Sequence, residues 1–223
     1  MRRSQKRMRK RTVVTLLAVV LVAIATACGD GAAPQVLPGT SVDVAANLLQ
    51  NGSFEVDPDP WFSLTTPAWG KPFSVSSHVA HSGEQSAHLE LRAPIDASGA
   101  EVVGVVQEAS PEEFPEMLSG YYYVDDWLKG ARKQYLQFVV IAFGVTNLPG
   151  GHVNHQIRFP LAGIDDEPFA ITNAKFLFLS REEPVIGQWV YFERPVGQDF
   201  RELWGAVPEG FERLRILFEV RYD

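Results

Sequence analysis

The sequence predicts an all-β domain, an antiparallel β-sandwich or jelly roll with little helix. Three observations predict it. Residues 213–223, "RLRILFEVRYD", put Leu214, Ile216, Phe218, Val220 and Tyr222 on one face and Arg213, Arg215, Glu219 and Arg221 on the other, the period-two alternation of a half-buried strand. Residues 135–145, "YLQFVVIAFGV", are apolar on both faces, as a central strand covered on both sides requires. Short runs of strand-forming residues are separated by Gly- and Pro-bearing turns, and one stretch alone carries helix signals.

In chain order, the first element stands apart from that domain. Residues 2–11 carry seven Lys or Arg and no acid, and residues 12–27, "TVVTLLAVVLVAIATA", are sixteen uncharged and mostly apolar residues. A basic stretch followed by an apolar one is the arrangement of an export signal, and it falls short of the roughly 18–20 residues that a stable transmembrane helix needs. The stretch ends in Ala25-Thr26-Ala27-Cys28, which resembles the lipobox of bacterial lipoproteins. Cys28 is the only cysteine, so it has no disulfide partner within the chain. Cleavage before Cys28 and lipidation of it, with palmitate among the acyl groups, explain both facts; the alternative is an ordinary signal followed by a chance cysteine. The resemblance implies an exported protein, lipid-anchored to the bacterial cell membrane or outer membrane.

Loss of residues 1–27 removes seven of the 20 Lys and Arg and none of the 27 acids, leaving 13 bases against 27 acids, a net charge of about −14. So acidic a surface excludes nucleic acid as the expected partner and is repelled by anionic lipid headgroups, so the lipid at Cys28 must do the anchoring. It leaves room for a bound cation such as calcium. Residues 28–46 are rich in small residues, Gly and Pro without hydrophobic periodicity, and read as a lipidated flexible tether. Residues 47–223 suit one domain large enough to fold without disulfides.

Within that domain the pattern predicts strands at 73–78, 86–92, 101–108, 121–124, 135–145, 156–159, 175–180, 189–194 and 213–223. The one helix expected is "DFRELWG", with Asp199 as N-cap and Gly205 as stop.

The domain opens on "NLLQNGSFE" (47–55), in which Asn51-Gly52 is a strong turn signal that delivers Glu55 to one fixed place. With Trp61, the Ser82-Gly83 turn, and Leu89 and Leu91 in the strand that follows, this opening resembles the galactose-binding-like jelly rolls, and among them the carbohydrate-binding modules found beside xylanases and cellulases. The resemblance covers residues 47–92 by motif. Beyond that it is architectural: "VVGVVQ" with Gln107, "GQWVYFERPV" and the last strand all fit, whereas 119–140 matches no pattern of the family. It implies a structural calcium site made of Glu55, main-chain oxygens at Ser82-Gly83 and a carboxylate on the last strand, here Asp223. Without an ion, Glu55 is a solvated strand residue or a partner for an arginine such as Arg221.

Sugar rings stack on flat side chains, which directs attention to the aromatics. Alternation places Tyr121 and Tyr123 on one face and Tyr122 on the other. Trp127, beside Asp125 and Asp126, offers an aromatic next to hydrogen-bonding carboxylates, as a polyhydroxy ligand wants, and is open equally to a packing role. Trp189, in a strand with Tyr191, reads as core. No catalytic constellation assembles: the acid pairs at 112–113, 125–126, 165–167 and 182–183 read as solvated turns, and His152 and His155 lack further zinc ligands nearby in sequence. Two functions from different classes follow. One is a membrane-tethered, non-catalytic binding module for a glycan or polysaccharide; the other is an envelope-structural or protein-interaction lipoprotein using the same scaffold. A hydrolase is the weaker third.

Overall fold

The structure, a computed structural model, describes residues 47–65, 70–94, 98–167 and 170–223, together with the main chain of residues 12–17. Residues 1–11 and 18–46, which hold Cys28, the rest of the expected leader and the expected tether, lie outside the described residues. The strands are β1 (Thr12–Leu17), β2 (Phe62–Ser63), β3 (Gly70–Lys71), β4 (Ser74–Ser76), β5 (Ser86–Leu91), β6 (Glu101–Ala109), β7 (Leu118–Asp126), β8 (Gln134–Phe143), β9 (Asn154–Ala162), β10 (Ala170–Ile171), β11 (Ala174–Phe176), β12 (Trp189–Arg194) and β13 (Arg213–Tyr222), with one helix, α1 (Val196–Trp204).

They form two sheets, β12-β7-β1-β5-β4 and β10-β11-β9-β8-β13-β6-β2, with β3 also along β6. Neighbours run antiparallel except at β11–β9 and β3–β6. The inner faces meet through aromatic rings: Phe138 of β8 stacks on Phe159 of β9 at 4.4 Å and, across the sandwich, on Phe192 of β12 at 4.9 Å. Phe218 of β13 closes the group, 5.9 Å from both Phe138 and Phe192. An all-β sandwich is therefore the architecture, as the alternation predicts.

β8 is central and covered on both faces as expected. Phe138 and Val140 face the main core, while Val139 and Ile141 join Val106 and Leu217 in a second cluster on the outer side, roofed by Leu64 and Phe143. That roof corrects one expectation about β13. Glu219, placed on the solvent face by alternation, is only 3% exposed and receives Gln137 Nε2 and Arg221. The amide and the guanidinium both donate to its Oε1, which offsets the cost of burying so polar a group.

The helix also departs from expectation at its start. It begins at Val196 behind Pro195, whose fixed φ suits a helix entry, and Asp199 lies buried in the first turn instead of capping it. Its carboxylate is held bidentately by Arg194, which ties α1 to β12. The stop is as expected: Gly205 takes φ 93 and its N–H bonds Arg201 O. The strand expected at 175–180 shortens to β11, after which Leu177 and Leu179 still donate to Arg158 and Pro160 carbonyls of β9.

Candidate functional site

The opening loop is pinned by amides before it reaches Glu55. Gln50 N–H donates to Gln107 Oε1 at 2.8 Å and Gln107 Nε2 donates back to Gln50 O at 2.9 Å, so a buried side chain of β6 acts as a strand partner for the loop. Trp61 Nε1 donates to the carbonyls of Gln50 and Asn51 at 3.0 Å each. The turn then closes with Phe54 N–H on Asn51 O. Positive φ falls on Asn51 (45°) and on Phe54 (60°), a bulky residue in a conformation it seldom takes. The reason is packing: Phe54 is buried against Trp61 at 5.4 Å and Phe73 at 6.2 Å, and the backbone bends to put it there.

Glu55 follows, and the structure brings it to the Ser82-Gly83 turn as the family resemblance implies. Its carboxylate accepts from Glu84 N–H (3.0 and 3.1 Å) and Gln85 N–H (2.9 Å), and a Cβ on Gly83, which has φ +70, would come within 2.5 Å of Oε1. The groups aimed at it are donors, which would face a cation with the wrong polarity. Asp223 is elsewhere. Tyr222 pairs with Glu101 at one end of β6, whereas the opening loop is fixed at Gln107, six strand positions away, about 20 Å at 3.3 Å per residue. Asp223 instead engages Arg221, the Tyr135 hydroxyl (3.1 Å) and, through its carbonyl, Arg132. The residues present do not fit the calcium set: Glu55 and the turn meet, and Asp223 does not join them. Among the described residues no group of three or more His, Cys, Asp or Glu is placed to hold a metal.

The aromatics divide in a way the sequence misassigns. Tyr121 and Tyr123 do share the outer face of β7, with Tyr122 buried beneath. Their cross-strand partners on β12 are Tyr191 and Trp189. Trp189, expected in the core, stands on the outer face with Tyr191, because Phe192 and Val190 take the inward positions of that strand. The rings form one group: Tyr123 to Trp189 is 5.4 Å, Tyr121 to Tyr191 is 5.0 Å, and His81, from the loop before β5, stacks on Tyr121 at 3.7 Å with Trp189 edge-on at 5.5 Å. Tyr191 is 44% exposed, and its hydroxyl donates to Glu193 Oε2 at 2.6 Å. That hydrogen bond to the carboxylate raises the Tyr191 phenol above its ordinary range.

Trp127 moves the other way, into the core at 9% exposure, with its ring over Gly163 where a Cβ would come within 2.6 Å. The physical cause is a bulge. On β7 the register against β1 slips between Val124 and Asp126, leaving Asp125 outside the ladder. One extra residue reverses which parity points inward, so Trp127 turns in while Asp125 is exposed and Asp126 half-buried at the edge of the aromatic face. His155, also buried, donates from Nε2 to Pro149 O (2.9 Å) and lies edge-on to Trp204, a packed position away from the aromatic face.

A sheet face with three half-exposed or exposed phenols, an indole and an imidazole, edged by carboxylates, can stack apolar faces of flat polar rings and hydrogen-bond their hydroxyls. No protein-family model matches the chain, and the search of curated proteins finds no match to it.

Proposed function

We propose that this protein is a membrane-tethered, non-catalytic binding module for a glycan, and that the ligand lies across the outer face of β7 and β12. The observation that carries this reading is the cluster of Tyr121, Tyr123, Trp189, Tyr191 and His81 on one exposed sheet face. Rigid amphipathic rings held by strand pairing are ordered before the ligand arrives, so little entropy is lost on binding. Glu193, Asp125 and Asp126 supply acceptors at the rim. Supporting the jelly-roll resemblance, β5, β6, β7 and β8 alternate between the two sheets, as do β12 and β13. The anchor, lipid at Cys28, rests on the small-small-Cys sequence.

Affinity electrophoresis and a glycan array, with xylan, mixed-linkage glucan and peptidoglycan fragments among the ligands, test the reading. Trp189→Ala and Tyr191→Ala should each weaken retention by about tenfold, or 1.4 kcal/mol. Retention that is absent for every glycan, or unchanged in both variants, refutes it. Burial of Trp127 favours a second reading, an envelope-structural or protein-interaction lipoprotein, and the failure of all glycans alongside capture of an envelope protein through the same face would select it.

A further inference from the structure

Residues 12–17 do something in the fold that an export leader has no need to do. β1 lies between β5 and β7 and is antiparallel to both: Thr12 to Leu16 pair with Leu91 to Ala87, and Val13 to Leu17 pair with Asp126 to Tyr121. β5 and β7 therefore run parallel to one another two strand spacings apart, about 9.6 Å. The same residues open the apolar half of the leader that cleavage before Cys28 would remove. What cleavage leaves is a slot one strand wide through the middle of a sheet. The main-chain N–H and C=O groups of β5 and β7 face each other across it, too far apart to bond. Closing it by sliding β5 toward β7 would drag Ala87 and Leu89, both fully buried, out of register with the core.

We propose that in the processed protein this slot is an acceptor for a β-strand from a partner protein, an extended segment of about six residues with apolar side chains at alternate positions and a basic residue just before it. The register states the requirement. Val14 pairs with Leu89 and Val124, and Leu16 with Ala87 and Tyr122, four partners that are buried in the core; Thr15, between them, pairs with His88 and Tyr123, which are half-buried on the outer side. The entry end, at Val13, is level with Glu90 and Asp126, beside exposed Asp125, which favours a cation there. Main-chain bonds on both sides of the slot supply affinity, and the alternate core positions supply selectivity.

The inference rests on reading residues 1–27 as a removed leader, and intact mass of the chain recovered from membranes tests that reading alone. The slot is tested separately, on the full chain carrying a protease site within residues 29–46 and cut in vitro. A labelled peptide of residues 11–18, RTVVTLLA, is added after the severed leader has been washed away. Expected are one-to-one binding and a tenfold or greater slowing of amide exchange in 87–91 and 121–126, with no binding by the same peptide bearing Val14→Pro, which lacks a ladder N–H. The proposal fails if the leader-free chain is a monomer whose β5 and β7 amides exchange as slowly as in the uncut chain, since the chain has then closed its own gap. It fails equally if a second copy fills the slot in a dimer, or if the peptide changes nothing.

Discussion

Phe218→Ala is the substitution on which the sandwich reading depends most directly. The ring is 6% exposed and sits 5.9 Å from Phe138, 5.9 Å from Phe192 and 6.5 Å from Trp61, so it joins β8, β12 and the opening loop at one point. Truncation of a buried Phe costs about 3–5 kcal/mol, because the transfer energy of the ring is lost and a cavity remains. Collapse is resisted here, since Phe138 and Phe159 are fully buried and stacked and cannot move in without breaking their own contact. For a domain of this size each kcal/mol moves the midpoint by about 2–4 °C, so a fall of about 6–20 °C is expected. Urea unfolding followed by circular dichroism and calorimetry reads the difference, with Phe143→Ala as the control. Phe143 is half-buried on the outer face under the Arg213 guanidinium at 4.1 Å, and its loss should cost no more than about 2 kcal/mol. A Phe218→Ala cost below about 1 kcal/mol, or equal to that of the control, would refute the placement of the core.

Three further outcomes are expected. Thermal melts in calcium and in chelator should coincide, because Glu55 already accepts from Glu84 and Gln85 N–H groups; a calcium-dependent rise that Glu55→Gln abolishes would show an ion displacing those donors. Arg194→Met should destabilise by about 3–5 kcal/mol by stranding the Asp199 carboxylate, 1% exposed, and Asp199→Leu added to it should recover most of the loss; an uncoupled pair in that cycle would refute the buried ion pair. Burial, with a hydrogen bond to Glu101, pushes the Tyr222 phenol up to about 12, and burial raises Tyr135 against the pull of Arg221. The folded state holds these protons longer than the unfolded one, so stability is steady below about pH 10 and falls as pH rises toward 12, and Tyr222→Phe should flatten that fall in pH-dependent urea titrations.

Much of the fold was legible because period-two alternation is a local signal. β12 falls on the residues expected, and β13 and β5 end within one residue of expectation. The site was legible only in part, because which face of a strand meets water is decided by what packs on it. Glu219 reads as exposed until Leu64 and its neighbours roof the outer side of β13. Trp189 reads as core until Phe192 claims the inward position. Trp127 reads equally as a ligand platform or as packing until a bulge at Asp125 reverses parity and turns it inward, and nothing in "YVDDW" announces a bulge except the paired acids themselves. Glu55 and the Ser82-Gly83 turn were paired through a resemblance, and no periodicity would have linked residues so far apart.

The place of β13 in its sheet has a kinetic consequence. Leu214 pairs with Ala109 on one side and Ala142 on the other, partners 105 and 72 residues earlier in the chain. β6 and β8 are thus synthesised long before the strand that joins them and must wait as unsatisfied edges, flanked by apolar runs such as "YLQFVVIAF". Contacts this distant slow folding into the range of milliseconds to seconds and lengthen the interval in which two such edges on different molecules can pair. Aggregation during refolding should therefore scale steeply with concentration, and a peptide copying β13, added early, should compete for the waiting edges and suppress the yield of native protein.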